Sequence, residues 1–145
     1  MNQILGFFKE YRFLSNFDEH PDAPIFIDGF SGTKISCTNV EAAFQASKTF
    51  DIEERYLIAH ANTPGKAKKL GKAVTLRPDW EEVKISVMRD LLLQKFSYPR
   101  YKLLLKSTGD AYLEETNSWG DRFWGVDKIG MNHLGKLLME IRELV

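Results

Sequence analysis

The chain has 145 residues, of which 43% are hydrophobic, and its 20 basic residues balance its 20 acidic ones. This length predicts a single domain over residues 1–145, because it provides for one sizeable core and no second module. The zero net charge excludes a protein that coats nucleic acid by bulk electrostatics, since such binding depends on an excess of basic residues on phosphates. A local anion site is compatible with this composition.

Simple patterns argue against membrane, secreted and disulfide-rich classes. The longest apolar runs, such as 91–93 and 103–105, are far shorter than the about 20 residues of a spanning helix, so we expect no membrane partner. The first residues lack the basic start and apolar stretch of a secretion signal, which predicts a cytoplasmic protein. Cys37 is the single cysteine, which excludes an internal disulfide and is typical of a small buried residue.

The N-terminal quarter mixes aromatic residues with turn formers, which predicts short strands and loops over residues 1–37. Two β-prone runs, at 24–27 and 34–37, flank a stretch that contains Asp28, Gly29 and Gly32. Aspartate and glycine suit a tight reversal of the chain. The two runs therefore predict a β-hairpin.

Helical patterns begin at residue 38. Thr38 and Glu41 have the spacing of a capping box and predict a first helix. The mainly apolar residues Val40, Ala43, Phe44, Ser47 and Phe50 recur at helical spacing along one face of this helix. Capping residues and prolines predict further helices at about 51–61, 64–71, 80–96, 99–108 and from 132 onwards. With strands and loops at 111–129 and no regular strand–helix alternation, the chain is predicted to be α+β and mainly helical, with about six helices and a small N-terminal hairpin.

Three polar side chains form a row on the first predicted helix. A rotation of about 100° per residue places Glu41, Gln45 and Lys48 in a wedge of about 60° beside the apolar face. Taken alone, such a row is typical of a solvated helix edge. The three alanines of this helix leave little bulk to screen the wedge from a ligand, which favours a site.

A loop rich in tryptophan and glycine follows at 119–135. Tryptophan and glycine are costly to leave flexible and exposed, so such a loop is usually a wall or a site. Aromatic rings suit a flat heterocycle, and Asp121 between them can accept from sugar hydroxyls or stabilise an oxocarbenium-like carbon. In the alternative interpretation, the tryptophans pack as core and Asp121 caps a turn. The spacing alone leaves both open.

Two further segments carry groups that can bind anions. Residues 11–17 interleave aromatic rings with Arg12, Ser15 and Asn16, which can bind a phosphate or a base edge. The helix start at Thr63-Pro64 precedes several lysines, which can hold an anion or serve only solubility. No histidine, cysteine or carboxylate cluster has metal-ligand spacing and no glycine-rich nucleotide motif is present, so we expect neither a metal nor a cofactor.

The segments that carry these groups follow one another in a specific order. They lie at 11–17, 41–48, 63–71, 77–80, 121–125 and 132–139. In order, spacing and residue type they resemble the YbiA-like or NADAR family, and the resemblance spans nearly the whole chain. It implies the fold of that family, with one domain over residues 1–145.

The resemblance also implies an N-glycosidase, which hydrolyses the bond between a ribose carbon and a base nitrogen. Family members remove ADP-ribose from guanine in nucleic acid or hydrolyse phosphoribosylated intermediates of riboflavin synthesis. We expect the first activity, with an ADP-ribosyl or phosphoribosyl conjugate as substrate, and keep the second as an alternative. A module that binds ADP-ribose or NAD without turnover is an alternative of another class.

Hydrolysis of a ribosyl bond requires a carboxylate near the anomeric carbon and a proton for the departing base. Glu41 and Asp121 are the candidate acids, and a desolvated Lys48 could act as an acid or as a nucleophile. The resemblance favours Lys48 for the covalent step and Glu41 as its proton partner. We expect the row on the first helix and the tryptophan loop to face a common cleft. The predicted substrate-binding residues are Tyr11, Arg12, Ser15, Asn16, Phe17, Gln45, Trp80, Trp124, Gly125 and Asn132.

Overall fold

The contacts within the chain divide it into two compact units. A computed structural model describes residues 2–145. The central unit is Asn16–Lys95, and the terminal unit combines Met1–Ser15 with Phe96–Val145. The prediction of a single domain over residues 1–145 stays a prediction.

The helices and strands confirm the predicted α+β, mainly helical fold with a small hairpin. In chain order the described elements are β1 (Gln3–Leu5), a 3-10 helix (Lys9–Leu14), β2 (Ile25–Phe30), β3 (Thr33–Cys37), α1 (Val40–Ala46), α2 (Ile52–Ala59), α3 (Pro64–Gly71), α4 (Trp80–Ser97), α5 (Pro99–Lys106), β4 (Tyr112–Glu114) and α6 (His133–Leu144). Within residues 2–145, no helix combines the length and the apolar character needed to cross a membrane.

The hairpin of the central unit is longer than its sequence pattern indicates. Strands β2 and β3 pair antiparallel, with Ile25 opposite Cys37 and Ile27 opposite Ile35. These four side chains are buried and alternate with exposed ones, as expected where one face of a sheet covers a core. Burial raises the pKa of the Cys37 thiol to about 12, which fits its predicted role in packing.

Helix α1 begins at a different cap from the one predicted. The N-cap is Asn39, whose side-chain oxygen accepts a hydrogen bond of 2.7 Å from the Ala42 amide. The predicted capping box of Thr38 and Glu41 is wrong, because the Glu41 carboxylate bonds the Gln45 side chain one turn further on. The capping box would pair Thr38 with the Glu41 amide, which donates instead to the Asn16 carbonyl at 3.1 Å. Asn39 satisfies the Ala42 amide of the first turn.

Replacing Asn39 by alanine is expected to lower the free energy of unfolding by about 1 kcal/mol, because a buried cap of the first turn is lost. The exposed Thr38 offers the matched control, and Thr38→Ala is expected to change stability by a few tenths of a kcal/mol at most. Urea unfolding followed by circular dichroism measures both variants. A larger loss of unfolding free energy in Thr38→Ala than in Asn39→Ala would show that Thr38 is the cap, as the capping box predicts.

Helix α1 also ends earlier than its apolar periodicity indicates. It stops at Ala46, after which the chain turns and Thr49 forms an isolated bridge with Leu76. Phe50, predicted on the apolar face, is half exposed. Lys48 therefore projects from the turn that follows α1 and not from the helix itself.

The next helices of the central unit confirm their predicted starts. The side chain of Asp51 accepts from the Glu54 amide at 3.1 Å at the start of α2. Thr63 accepts from the Lys66 amide at 3.0 Å at the start of α3, where Pro64 occupies the first turn. Proline suits this position because its missing N–H would have no partner there.

The terminal unit joins the two ends of the chain through a short parallel pair. Strand β1 pairs with β4, with Ile4 opposite Leu113. Arg142 of α6 donates to the Thr108 hydroxyl and the Ala111 carbonyl, each at 2.9 Å. The 3-10 helix lies in a stretch predicted as strand and loop, since two tight turns are too short to produce a helical period.

Candidate active site

The centre of the candidate site is a buried acid and amide on α1. Glu41 lies in the first turn and Gln45 one turn later, and the Gln45 Nε2 group donates to Glu41 Oε2 at 2.6 Å. Only 8% of Glu41 and 5% of Gln45 is exposed. The small Ala42, Ala43 and Ala46 side chains let neighbouring elements approach α1 closely, so the predicted wedge is buried and not a solvated helix edge.

Lys48 joins this pair from the turn after α1. Its backbone amide donates to the Gln45 carbonyl at 3.2 Å, and its carbonyl accepts from the Arg77 amide at 2.7 Å. The ammonium lies 5.9 Å from the centre of the Phe44 ring, and Phe44 packs on Trp80 with 5.0 Å between ring centres. The Lys48 nitrogen thus lies near a pair of packed aromatic rings.

The surroundings of Lys48 lower the pKa of its ammonium group. Burial lowers the pKa of Lys48, the Glu41 carboxylate raises it, and the positive charges of Lys68, Lys84 and Lys72 lower it again. Burial is the largest of these effects and acts because a charged group loses hydration in an apolar place. Only the neutral amine of a lysine can attack an electrophilic carbon, and a lowered pKa increases the fraction of that form.

Two buried amide oxygens of the central unit have no hydrogen-bond partner among residues 2–145. They belong to Asn16 and Gln45, both less than a tenth exposed. Asn16 is tied to the site by its carbonyl, which accepts from the Glu41 amide at 3.1 Å. A buried acceptor without a donor costs free energy, so each such group needs an explanation. A bound ligand that donates hydrogen bonds would supply one.

Gly71 at the end of α3 makes room for the Gln45 amide. A Cβ atom at Gly71 would overlap Gln45 Oε1 and lie 2.7 Å from Cδ. Any larger residue must displace the side chain that holds Glu41. Gly65, in the first turn of the same helix, has open space, with Thr63 Oγ1 at 3.9 Å as its nearest neighbour.

Gly71→Ala is therefore expected to lower the free energy of unfolding by about 1–3 kcal/mol through overpacking. The matched Gly65→Ala is expected to be neutral or stabilising by up to about 1 kcal/mol, because alanine favours helix. Chemical denaturation of both variants checks this pair. Equal stability of the two would contradict the close packing of Gln45 against α3.

The remaining predicted residues of the central unit lie around this cluster. Trp80 is 5% exposed and packed on Phe44, so its predicted stacking on a base stays a prediction. Phe17 lies beside Lys68, whose ammonium is 6.0 Å from the ring centre. The structure thus brings Glu41, Gln45 and Lys48 together.

Asp121 lies in the terminal unit and holds a turn. Its Oδ1 accepts from the Phe123 amide at 3.2 Å and from the Trp124 amide at 3.0 Å. Its own amide donates to Asn117 Oδ1, and its carbonyl accepts from Asn117 Nδ2. These bonds fit the alternative in which Asp121 caps a turn. A catalytic role for Asp121, and a cleft shared with Lys48, stay predictions.

Trp124, Gly125 and Asn132 shape the same loop. The Trp124 ring meets Phe123 edge to face at 4.8 Å. A Cβ at Gly125 would overlap the Glu115 carbonyl oxygen. Asn132 accepts from the Glu115 amide at 3.0 Å and donates to the Leu113 carbonyl at 3.0 Å, so its amide joins β4 to the start of α6. Their contacts with substrate stay predictions.

The other predicted residues of the terminal unit lie on or next to the 3-10 helix. Tyr11 and Arg12 belong to it, and Ser15 ends it by donating its amide to the Arg12 carbonyl at 2.8 Å. Their predicted binding of sugar and phosphate stays a prediction.

The sequence patterns missed Lys84 as a group that acts on Lys48. Lys84 lies one turn after Trp80 in α4, and residues four apart share a helix face. The spacing of four residues from Trp80, which is predicted at the site, could have indicated that Lys84 lies on the same helix face. The lysines after the helix start at Thr63 include Lys68 and Lys72, and the structure adds their effect on the pKa of Lys48.

The model of the NADAR domain family matches residues 6–145. The chain belongs to the NADAR family. Its relatives include an N-glycosidase of Nostoc punctiforme, 38% identical over 93% of this chain and 86% of its own length. The NMR structure of the E. coli protein YbiA covers 99% of this chain and 86% of its own, at 34% identity and a TM-score of 0.79. YbiA of Escherichia coli is also named an N-glycosidase.

One NADAR relative belongs to a longer plant protein. It is the chloroplastic riboflavin biosynthesis protein PYRR of Zea mays, 30% identical over 96% of this chain and 25% of its own length. The part that matches this chain is thus a quarter of that protein.

Proposed function

We propose that this chain is an N-glycosidase that hydrolyses the C1′–N bond of a ribosyl-phosphate conjugate at Lys48 and Glu41. The names of relatives over nearly the whole chain support the reaction class. The observation that carries the assignment of residues is the Lys48 amine, with its lowered pKa, beside the buried pair of Glu41 and Gln45. A neutral amine and a carboxylate are the nucleophile and proton carrier that this reaction requires.

The reaction begins with attack of the neutral Lys48 nitrogen on C1′ of the ribose. The C1′–N bond to the base breaks, and its electron pair leaves with the base nitrogen. Glu41 takes the proton that Lys48 loses on attack and delivers it to that nitrogen. The C1′–O4′ bond then breaks, and the proton that remains on Nζ passes to O4′, which leaves a Schiff base between Nζ and C1′. Water adds at C1′, with one of its protons passing to Nζ. The C1′–Nζ bond then breaks, which returns the neutral amine and the free sugar phosphate.

We propose ADP-ribose attached to guanine as the substrate. The positive charges of Lys68 and Lys72 act on Lys48. So does that of Lys84, which is paired with Glu81 at 2.8 Å. Positive charge suits the pyrophosphate of such a conjugate. The carboxamide oxygens of Asn16 and Gln45 can accept from sugar hydroxyls. The second candidate is a phosphoribosylated riboflavin intermediate, and the name of the maize relative favours it.

Incubation with two kinds of substrate tests the proposal. The purified chain is supplied with ADP-ribosylated guanine oligonucleotide and, separately, with phosphoribosylated riboflavin intermediates, and products are separated by chromatography. Free ADP-ribose with unmodified guanine is expected. Release of ribose 5-phosphate from the riboflavin intermediates, without release of ADP-ribose from the oligonucleotide, would assign the riboflavin intermediates as the substrate. Binding that returns every ligand intact would identify a sensor and end the enzymatic assignment.

The pH dependence of kcat tests the electrostatic part of the proposal. The rate should rise with pH as Lys48 loses its proton, and its lowered pKa brings this rise below the ordinary lysine range. Lys68→Gln removes a charge that lowers the pKa of Lys48, so the rise is expected to move to higher pH. Lys69→Gln on the same helix is the control without this effect. Equal shifts in both variants would contradict the account.

A further inference from the structure

The central unit contains a cavity that shares no lining residue with the predicted site. Its volume is about 380 Å³, and it lies between the β2 strand, the segment 47–50 and the middle of α4. Cavities of this size hold small organic ligands. Two arginines, Arg55 and Arg77, line it together.

Arg55 is built into the wall of this cavity. Only 4% of the residue is exposed, and its guanidinium stacks 4.7 Å from the centre of the Phe30 ring. Nε donates to the Thr49 carbonyl at 2.7 Å and Nη1 to the Asp28 carbonyl at 2.9 Å. These bonds fix the plane of the guanidinium and leave Nη2 for a ligand.

Arg77 is fixed in a similar way. Its guanidinium stacks 4.3 Å from the centre of the Phe50 ring, and its Nε and Nη2 groups donate to Asp79 at 2.6 and 2.9 Å. Nη1 reaches the Ser47 carbonyl at 3.4 Å. A rigid guanidinium with donors left over binds phosphate better than a mobile one.

The two like charges are close enough to oppose each other. Burial lowers the pKa of Arg55 and the charge of Arg77 lowers it further, whereas the Asp28 carboxylate, which also lines the cavity, raises it. Asp79 already balances the charge of Arg77 and raises the pKa of that guanidinium, so Arg55 is the cation of this cavity that a bound anion would stabilise. The acceptors that hold Arg55 are backbone carbonyls, so they do not neutralise its charge.

The other walls indicate what the anion is attached to. Phe26 and Phe50 are 42% and 50% exposed although both are large and apolar, and Val87 and Leu91 extend the apolar surface. Exposed phenylalanine rings beside fixed guanidinium groups can stack on a flat ring of a ligand whose anionic group binds the arginines. The carboxylate of Asp90 adds an acceptor for hydroxyl groups.

We propose that this cavity binds a mononucleotide, with its phosphate on Arg55 and Arg77 and its base against Phe26 and Phe50. The site is independent of the proposed hydrolase, because neither Lys48 nor Glu41 lines it. Its ligand class is a phosphate monoester of a nucleoside and not inorganic phosphate, because the cavity offers an aromatic wall as well as cations.

Calorimetry with AMP as the probe tests this site. AMP is expected to bind the intact chain more tightly than adenosine, ribose 5-phosphate or inorganic phosphate, since each of these lacks part of the ligand. Arg77→Gln is expected to weaken AMP about tenfold or more, by loss of a charged hydrogen-bond donor. Phe50→Ala is expected to weaken AMP and leave ribose 5-phosphate unchanged. Arg100→Gln and Phe8→Ala, outside the cavity, are the matched controls.

A Lys48→Ala variant separates this site from the proposed active site. AMP binding that persists in Lys48→Ala and is lost in Arg77→Gln supports the cavity, whether or not the chain hydrolyses any conjugate. Binding lost in Lys48→Ala and kept in Arg77→Gln would assign AMP to the active site and overturn the proposal. Absence of AMP binding to the unaltered chain, or equal affinity for inorganic phosphate, would overturn it as well. Circular dichroism of each variant verifies the fold.

Discussion

Lys48→Ala is expected to lower the rate of base release by about a thousandfold or more, because the nucleophile of the first step is removed. The fold should not suffer, since burial already disfavours the charge of Lys48 and alanine removes that cost. The effect is measured as the single-turnover rate at which free base appears, with the base separated from the substrate by chromatography. Lys69→Ala is the control, because Lys69 is exposed and lies on the neighbouring α3.

A Lys48→Ala variant with at least a tenth of the original rate would remove Lys48 from the chemistry. An equal loss in Lys69→Ala would point to a general effect of charge and not to a nucleophile. Trapping with borohydride adds a separate test of the Schiff base. A stable adduct on the peptide that contains Lys48 is expected, and base release without any adduct would leave Lys48 as a proton donor only.

Glu41→Gln is expected to lower kcat by about a hundredfold or more, because a glutamine cannot carry the proton from Lys48 to the base. Glutamine keeps the volume and an oxygen that accepts from Gln45 Nε2, so the variant should fold. The loss of the negative charge also removes an effect that raises the pKa of Lys48. The rise of rate with pH is therefore expected to move to lower pH.

The exposed Glu53 on α2 provides the matched control for this substitution. Glu53→Gln is expected to keep both kcat and the pH profile. A Glu41→Gln variant that loses activity without any movement of the pH profile would assign Glu41 a role apart from Lys48. Full activity in Glu41→Gln would end its assignment as the proton carrier.

Local patterns were sufficient to predict most of the helices and the hairpin. Start signals at Asp51 and Thr63 were correct because each side chain caps the amide three residues on, which is a local interaction. The cap of α1 was wrong because Thr38 and Asn39 are neighbouring caps of similar strength. The end of α1 was wrong because the bridge between Thr49 and Leu76 is a long-range contact.

The candidate site was predictable only in part. Spacing along one helix brought Glu41 and Gln45 together, and their hydrogen bond follows from that spacing. The lowered pKa of Lys48 depends on burial and on charges from α3 and α4, which no local pattern contains. The role of Gly71 depends on the approach of α3 to α1, which only tertiary packing determines.

The tryptophan loop shows a structural use for residues whose predicted functional roles stay predictions. Aromatic rings and an acid occur together in this loop, and that combination predicts a functional site. Asp121 uses its carboxylate to hold the backbone of Phe123 and Trp124, and Asn132 uses its amide to hold β4. An unusual composition can thus have a structural cause. The backbone amides and carbonyls of an irregular loop have no helix or strand partners, so side chains must supply their hydrogen bonds.

Binding of the substrate at the buried amides beside Glu41 is the central claim, and NMR tests it most directly. A Glu41→Gln chain labelled with nitrogen-15 is titrated with ADP-ribosylated guanosine, and the side-chain amide signals are followed. Signals of Gln45 and Asn16 are expected to move, while that of the exposed Gln3 on β1 stays in place. Saturable binding that leaves the Gln45 and Asn16 signals unmoved would contradict the account.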